Sequence, residues 1–268
     1  MPEPQKTQIA LIVFAMASMI ASRLPGRLAP LSLDPPVRLR HSGAMRLRER
    51  LVNFAVAMFF RISCRWDIRG VEKVPAEGPA ILISNHTSFF EGPFFYILLR
   101  PRRTIALAKT ELWDRAVTRT FMTAWRAIPV DREGMDITAI RRCFGVLDDG
   151  DFLCIAPEGT RSPDGALQVA QPGTTFFASR EGVPIVPMVQ WGLQDLPSRL
   201  KRLRRTDVHI RIGDPFVVAK PGGGRLSADD RRRMADEMMA RLAVLLPEDL
   251  RGAYADASSW TSDFVTVL

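Results

Sequence analysis

The chain predicts an α/β fold: a single domain on a mixed, largely parallel sheet flanked by helices, preceded by a membrane-associating N-terminal arm. Three observations carry that prediction. Short continuous apolar runs, Ile81–Ile83 and Phe152–Ala156 among them, have the pattern of strands buried on both faces. Other segments place apolar residues three and four apart, the period of a helix packed on a core. The first 65 residues differ from the rest, joining an apolar stretch to nine arginines between Arg23 and Arg65 against two acids, Asp34 and Glu49.

At 268 residues and 47% hydrophobic content the chain can build a substantial core. Its net charge is +8, with 32 arginines to 5 lysines, and the guanidinium suits phosphate groups. The three cysteines, Cys64, Cys143 and Cys154, have neither a metal nor a redox spacing. Structural thiols in a reducing compartment are expected. Internal repeats, a dinucleotide-binding glycine fingerprint, a phosphate-binding P-loop and zinc spacings are all missing from the sequence, and no nucleic-acid partner is expected.

Ile9–Ala21 is thirteen apolar or small residues after Lys6, short of the roughly 20 that span a bilayer. It reads as a signal-peptide core or as an interfacial anchor. Pro30, Pro35 and Pro36 make the next stretch a linker. Arg46–Arg65 is a strongly apolar segment with basic flanks, read as a helix lying on anionic lipid in preference to an ordinary core helix. The boundaries expected are an arm over 1–65, the domain over 66–246 and a tail over 247–268.

Within the domain, Ala80–Ser84, Thr104–Ala108, Ala127–Val130, Phe152–Ala156, Val183–Val189 and Asp207–Ile212 read as strands. Pro184 and Pro187 place Val183–Val189 at an edge or a bulge. Asp136 caps a helix with a stripe of Ile137, Ile140, Phe144 and Leu147, which ends at Asp149–Gly150. Ser227 caps a last helix with Met234, Met238, Leu242 and Leu245 on one face, stopped by Pro247. His209 alternates away from Val208 and Ile210 and reads as solvated.

Chemistry concentrates where Ile81–Ile83 gives way to Ser84, Asn85, His86, Thr87 and Ser88. Residues five apart on one helix point about 140° apart, so His86 and Glu91 meet only across a loop. Pro93 favours that loop, since it suits a helix's first turn and puts Glu91 at the helix entrance. An ionised Glu91 bonded to one ring nitrogen of His86 would fix its tautomer and leave the other nitrogen to take a proton. Equally, Ser88 and Glu91 have the spacing of a capping box, with His86 a solvated loop residue. The two readings stand level on this stretch alone.

The same device recurs after Phe152–Ala156, where Pro157, Glu158, Gly159, Thr160, Arg161 and Ser162 follow. Gly159 permits close approach of a ligand, Arg161 can grip phosphate oxygens bidentately, and Glu158 can orient that guanidinium. A surface turn with an ordinary ion pair is the plain alternative. Arg132, after Ala127–Val130, offers a second phosphate contact. Parallel strands with loops at one edge would gather His86, Arg132 and Arg161.

These residues carry a resemblance. NHTSFFE (85–91) resembles the first motif of the glycerolipid acyltransferases, the lysophosphatidate acyltransferase family, and APEGTRS (156–162) resembles their third. AIPVDRE (127–133) is similar to the second motif and VPIVPM (183–188) to the fourth, all in family order across Trp66–Asp214. The resemblance implies an O-acyltransferase. His86 would act as general base on the acceptor hydroxyl, oriented by Glu91, while Arg132, Glu158, Gly159, Thr160 and Arg161 would bind the acceptor's phosphate. It implies an acyl thioester donor, carried by coenzyme A or acyl carrier protein, and a lysophospholipid acceptor, most simply 1-acyl-glycerol-3-phosphate. Neither metal nor cofactor is implied. The partner surface expected is an anionic membrane, with the protein at the cytoplasmic face of the inner membrane.

The sequence departs from the family pattern in three places. Glu91 replaces a shorter Asp, Arg126 stands where Gly is usual, and Gln171-Pro172-Gly173 replaces a stretch that commonly carries Lys. Lyso-ornithine lipid and glycerol 3-phosphate remain alternative acceptors. A lipid-binding protein weakened in catalysis and a thioesterase remain alternative classes.

Overall fold

The computed structural model describes residues 47–131, 136–178, 180, 182–256 and 261–268, with side chains from 50 onward. Ile9–Ala21, the proline-broken linker and Arg132 therefore lie outside the described residues. Chain order runs α1 (Leu47–Ser63), β1 (Cys64–Arg69), β2 (Ala80–Ser84), α2 (Glu91–Leu98), β3 (Thr104–Lys109), α3 (Ala116–Ala124) and β4 (Ile128–Val130). It continues through α4 (Ile137–Asp148), β5 (Phe152–Ile155), the single turn α5 (Thr175–Ala178), β6 (Ile185–Trp191), α6 (Leu196–Lys201) and β7 (Thr206–Ile212). The last elements are β8 (Phe216–Val218), α7 (Ala228–Ala243) and β9 (Val265–Val267).

The strands form one sheet in the order β1-β7-β6-β2-β5-β3-β4, with β8 beside β6 and β9 beside β8. The pairings of β6 with β7, β6 with β8 and β8 with β9 are antiparallel, and the others are parallel. This is the mixed, largely parallel sheet that the apolar runs imply. Successive strand residues face opposite sides, so a strand covered on both faces must be apolar at every position. In β2, Leu82 joins a core beneath α1 and α2 with Phe60, Phe94 and Phe95, while Ile81 and Ile83 join the opposite core beneath α4 and α7. Full burial of each such side chain contributes about 1.5–3 kcal/mol.

Three local expectations change. The proline-bearing strand β6 is interior: Ile83 on β2 pairs with Pro187, and β6 also pairs antiparallel on its other side. The missing N–H is tolerated because that other side changes partner there, from β8 at Ile185 to β7 at Met188, and Gly213 N donates to Pro187 O at 2.9 Å. Helix α4 starts as expected, with Asp136 Oδ1 accepting from Ala139 N at 2.8 Å, but its packed face is rotated. Ile137 is 56% exposed, whereas Ala139 and Cys143 are buried, their small side chains letting the helix sit close to the sheet. His209 is not simply solvated: Nδ1 lies 3.3 Å from Asp67 Oδ2 and the ring stacks on Trp191.

The ends also belong to the packed unit. Val56, Phe59 and Phe60 of α1 are buried in the core, and Asn53 Oδ1 accepts from Trp125 Nε1 at 3.0 Å. At the other end Tyr254, Phe264 and Val265 are buried, and β9 pairs with β8. The folded unit thus extends past both positions 66 and 246. Helix α7 carries a full capping box between Ser227 and Asp230, and Met234, Met238 and Leu242 of its stripe are wholly buried. All three thiols are free, and burial pushes each up to about 12, which leaves them protonated and inert near neutrality.

Candidate active site

Strands β2 and β5 are parallel neighbours, Ile83 beside Ile155, so the loops leaving their carboxyl ends emerge side by side. His86 is held at that junction by its own backbone. His86 N donates to Glu158 Oε1 at 2.7 Å, and Ser162 N donates to His86 O at 2.7 Å. On the other side Asn85 continues the ladder with its side chain. Its Nδ2 donates to Gln190 O at 2.8 Å while Gln190 N donates to its Oδ1 at 2.9 Å.

Glu91 occupies the first turn of α2 and is 4% exposed. Its Oε2 lies 2.6 Å from His86 Nδ1. Its Oε1 accepts from Thr87 N at 2.5 Å, Ser88 N at 2.6 Å, Thr87 Oγ1 at 3.0 Å and Gln190 Nε2 at 2.8 Å. Both sequence readings of this stretch therefore meet in one carboxylate, which reaches back to Ser88 N as a capping residue does and still holds the histidine. The box itself does not close, because Ser88 Oγ accepts from Phe90 N at 3.2 Å.

An ionised carboxylate only accepts hydrogen bonds, so the proton between these two groups sits on His86 Nδ1. Nε2 is then the unprotonated nitrogen. The ring is part-exposed, with a side-chain accessibility of 26%. The arrangement can take a proton from a bound hydroxyl and stabilise the imidazolium that results.

Gly159, Thr160 and Arg161 are exposed beside this dyad, as the spacing implies. Gly159 has φ 69°, and a Cβ there would stand 3.0 Å from Gln171 Cγ, so both conformation and space favour glycine. Glu158 departs from expectation. Rather than orienting Arg161 or facing an acceptor, it is 1% exposed, with Oε1 on His86 N and Oε2 accepting from Gln168 N at 3.0 Å. The tight turn closed by Gly159 N and Ala156 O turns residue 158 inward and swings the next three out. Burial pushes its carboxyl above the usual carboxylate range against the pull of these two N–H donors.

Glu158→Gln should therefore lower both stability and turnover. An amide has one acceptor oxygen for two N–H donors, and one donor left facing an NH₂ costs about 1–3 kcal/mol. Thermal melting and steady-state turnover measured together check this. Wild-type values for both would show that the two bonds are dispensable.

Gln190 and Asn85 were not singled out from the sequence as site residues. For Gln190 a signal existed: it is a fully buried amide near the end of a strand that is otherwise apolar from Ile185 to Val189. Nothing in the sequence connected it to a residue 99 positions earlier.

Residues 65–191 match the Acyltransferase family. The chain is 28% identical over 205 residues to 1-acyl-sn-glycerol-3-phosphate acyltransferase BAT2, chloroplastic, of Brassica napus, covering 72% of this chain and 58% of that protein. It spans less than two thirds of that relative's length. It is also 28% identical to the lyso-ornithine lipid O-acyltransferase of Brucella abortus, covering 91% of this chain and 96% of that protein. The fold is shared with the crystal structure of the 1-acyl-sn-glycerophosphate acyltransferase PlsC from Thermotoga maritima. Its TM-score is 0.55 at 22% identity, covering 74% of this chain and 78% of that one.

Proposed function

We propose, from the match of residues 65–191 to the Acyltransferase family, that this chain moves a fatty acyl group from a thioester to the free hydroxyl of a lysophospholipid. The observation that carries this is the 2.6 Å contact of His86 Nδ1 with Glu91, which leaves Nε2 free of that carboxylate beside an exposed Gly159-Thr160-Arg161 loop. His86 Nε2 takes the hydroxyl proton as the oxygen attacks the thioester carbonyl carbon. The C–S bond then breaks, and the departing thiolate takes the proton back from the imidazolium. General-base help of this kind is worth about 10²–10⁴-fold. The nucleophile is the bound hydroxyl itself, so no serine or cysteine of the chain is acylated, and no metal or cofactor enters the scheme. Either coenzyme A or acyl carrier protein can present the thioester.

The acceptor favoured is 1-acyl-glycerol-3-phosphate, giving phosphatidate, with the phosphate held by Arg161 and by Arg132. A second acceptor, lyso-ornithine lipid, is supported by the near full-length likeness to the Brucella protein and by Gln171 lying against Gly159 at the edge of the loop. An acceptor panel with Arg161→Lys separates them. Lysine keeps the charge and loses the planar fork. A charge-assisted contact of about 1.5–3 kcal/mol predicts roughly ten- to a hundredfold weaker use of the phosphorylated acceptor, and little change for one without phosphate. Equal losses on both would remove the phosphate role from Arg161.

Membrane attachment, at the cytoplasmic face of the inner membrane, fits the same reading. On α1, Leu51 and Phe54 are 61% and 62% exposed and three residues apart, on one face of a helix with an exposed Arg50. Among the described residues no helix is long and apolar enough to cross a membrane.

A further inference from the structure

We propose that Gln190 is a positioning residue of the His86–Glu91 pair, holding the Glu91 carboxylate ionised and aimed at the imidazole. This rests on the function proposed above. The side chain of Gln190 comes from β6, outside the loops and the helix turn that carry His86, Arg161 and Glu91, and it is wholly buried. Its Nε2 donates to Glu91 Oε1 at 2.8 Å and to Thr87 Oγ1 at 2.6 Å, while the Thr87 hydroxyl donates onward to the same Oε1 at 3.0 Å. One amide group thus supplies the carboxylate directly and through a hydroxyl relay.

The proton count fixes the amide's orientation. Glu91 Oε1 can only accept, so the NH₂ must face it, and the reversed amide would set two acceptors against each other. In this orientation Gln190 Oε1 is buried without a hydrogen-bond partner among the described residues. Such an orphan is unfavourable, and an apolar side chain in the same space would avoid it. The fold tolerates it in exchange for donors at the carboxylate. Asn85 keeps the arrangement rigid, since its side chain grips both the N–H and the carbonyl of Gln190.

The consequence is electrostatic. Four donors occupy Oε1, so Oε2 is left to align His86 Nδ1. Loss of the Gln190 donor would make the anion more basic, so the pair would hold its shared proton more tightly. The other titratable groups facing the pair are Glu158, through His86, and Cys154, beside Glu91 on β5. Neither is altered by a substitution at 190.

The test compares full-length wild type with Gln190→Met, which keeps the length and loses the donor. The titration midpoint of the His86 imidazole is followed by NMR, with its resonance assigned from His86→Ala. Expected is an upward shift of about 0.5–1 pH unit. In turnover, kcat falls by about tenfold with KM for both substrates nearly unchanged, and the acidic limb of the pH profile moves up with the midpoint. The titration needs no turnover, so it reports on Gln190 even if acyl transfer itself is disproved. An unchanged midpoint in a folded Gln190→Met protein overturns the proposal, as does a lowered melting temperature with an unmoved acidic limb. If Gln190→Met does not fold, Thr87→Val, at a part-exposed loop position, removes the relay. It should raise the midpoint by a smaller amount, and no change there overturns the proposal.

Discussion

Glu91→Gln should reduce turnover by up to about 10⁴-fold, the scale of loss when the acid of a catalytic triad becomes an amide. The structure gives a specific reason. Four donors converge on the Oε1 position, so the amide oxygen must settle there and the NH₂ must take the place of Oε2. That NH₂ then faces His86 Nδ1, which must become an acceptor. The imidazole proton moves to Nε2, where a base is needed, and the histidine is held in the wrong tautomer. Acceptor affinity should change little, because Glu91 is buried behind His86. Glu91→Asp keeps the charge and the tautomer but shortens the reach by one methylene, so it should retain more activity than Gln. Steady-state kcat and KM for the three proteins check this. A Gln variant equal to wild type would leave Glu91 as a loop-capping residue only.

His86→Ala should cost about 10²–10⁴-fold in turnover. Its side chain is part-exposed, and the bonds that pin residue 86 to Glu158 and Ser162 use its backbone, so they survive the substitution. The variant should therefore melt close to wild type while losing catalysis. Circular dichroism and turnover on one preparation separate the two effects. Near-normal transfer by a well-folded His86→Ala protein would remove the general base from the mechanism.

The sequence made the strands beside the site legible because burial on both faces keeps Ala80–Ile83 of β2 and all of β5 apolar. The five-residue spacing of His86 and Glu91, with Pro93 behind it, was enough to require a loop and allow the pair. Long-range geometry was not legible. Pro187 argued for an edge, and only the exchange of β8 for β7 beside it explains an interior position. Glu158 and Arg161 lie three apart in the chain, yet one turn sends them to opposite sides of the surface. The tail gave no signal because its anchor is remote: Glu237 on α7 accepts from Asp263 N at 3.1 Å and Phe264 N at 2.9 Å. Gln190 could be seen as an anomaly in its strand, but its partner across the sheet could not.

Acyl transfer to a hydroxyl is tested most directly by counting both products in one sample. Purified full-length protein in mixed micelles is given a labelled acyl thioester, with and without 1-acyl-glycerol-3-phosphate or lyso-ornithine lipid, and free thiol and acylated lipid are measured together. Thiol release that requires an acceptor and equals the acylated lipid formed, mole for mole, is the result predicted from a His86 that activates a bound hydroxyl. Thiol released at the same rate without acceptor, with free fatty acid as the product, would contradict it and make the protein a thioesterase. The absence of any thioester turnover, with coenzyme A and acyl carrier protein donors alike, would contradict it as well, leaving a lipid-binding protein.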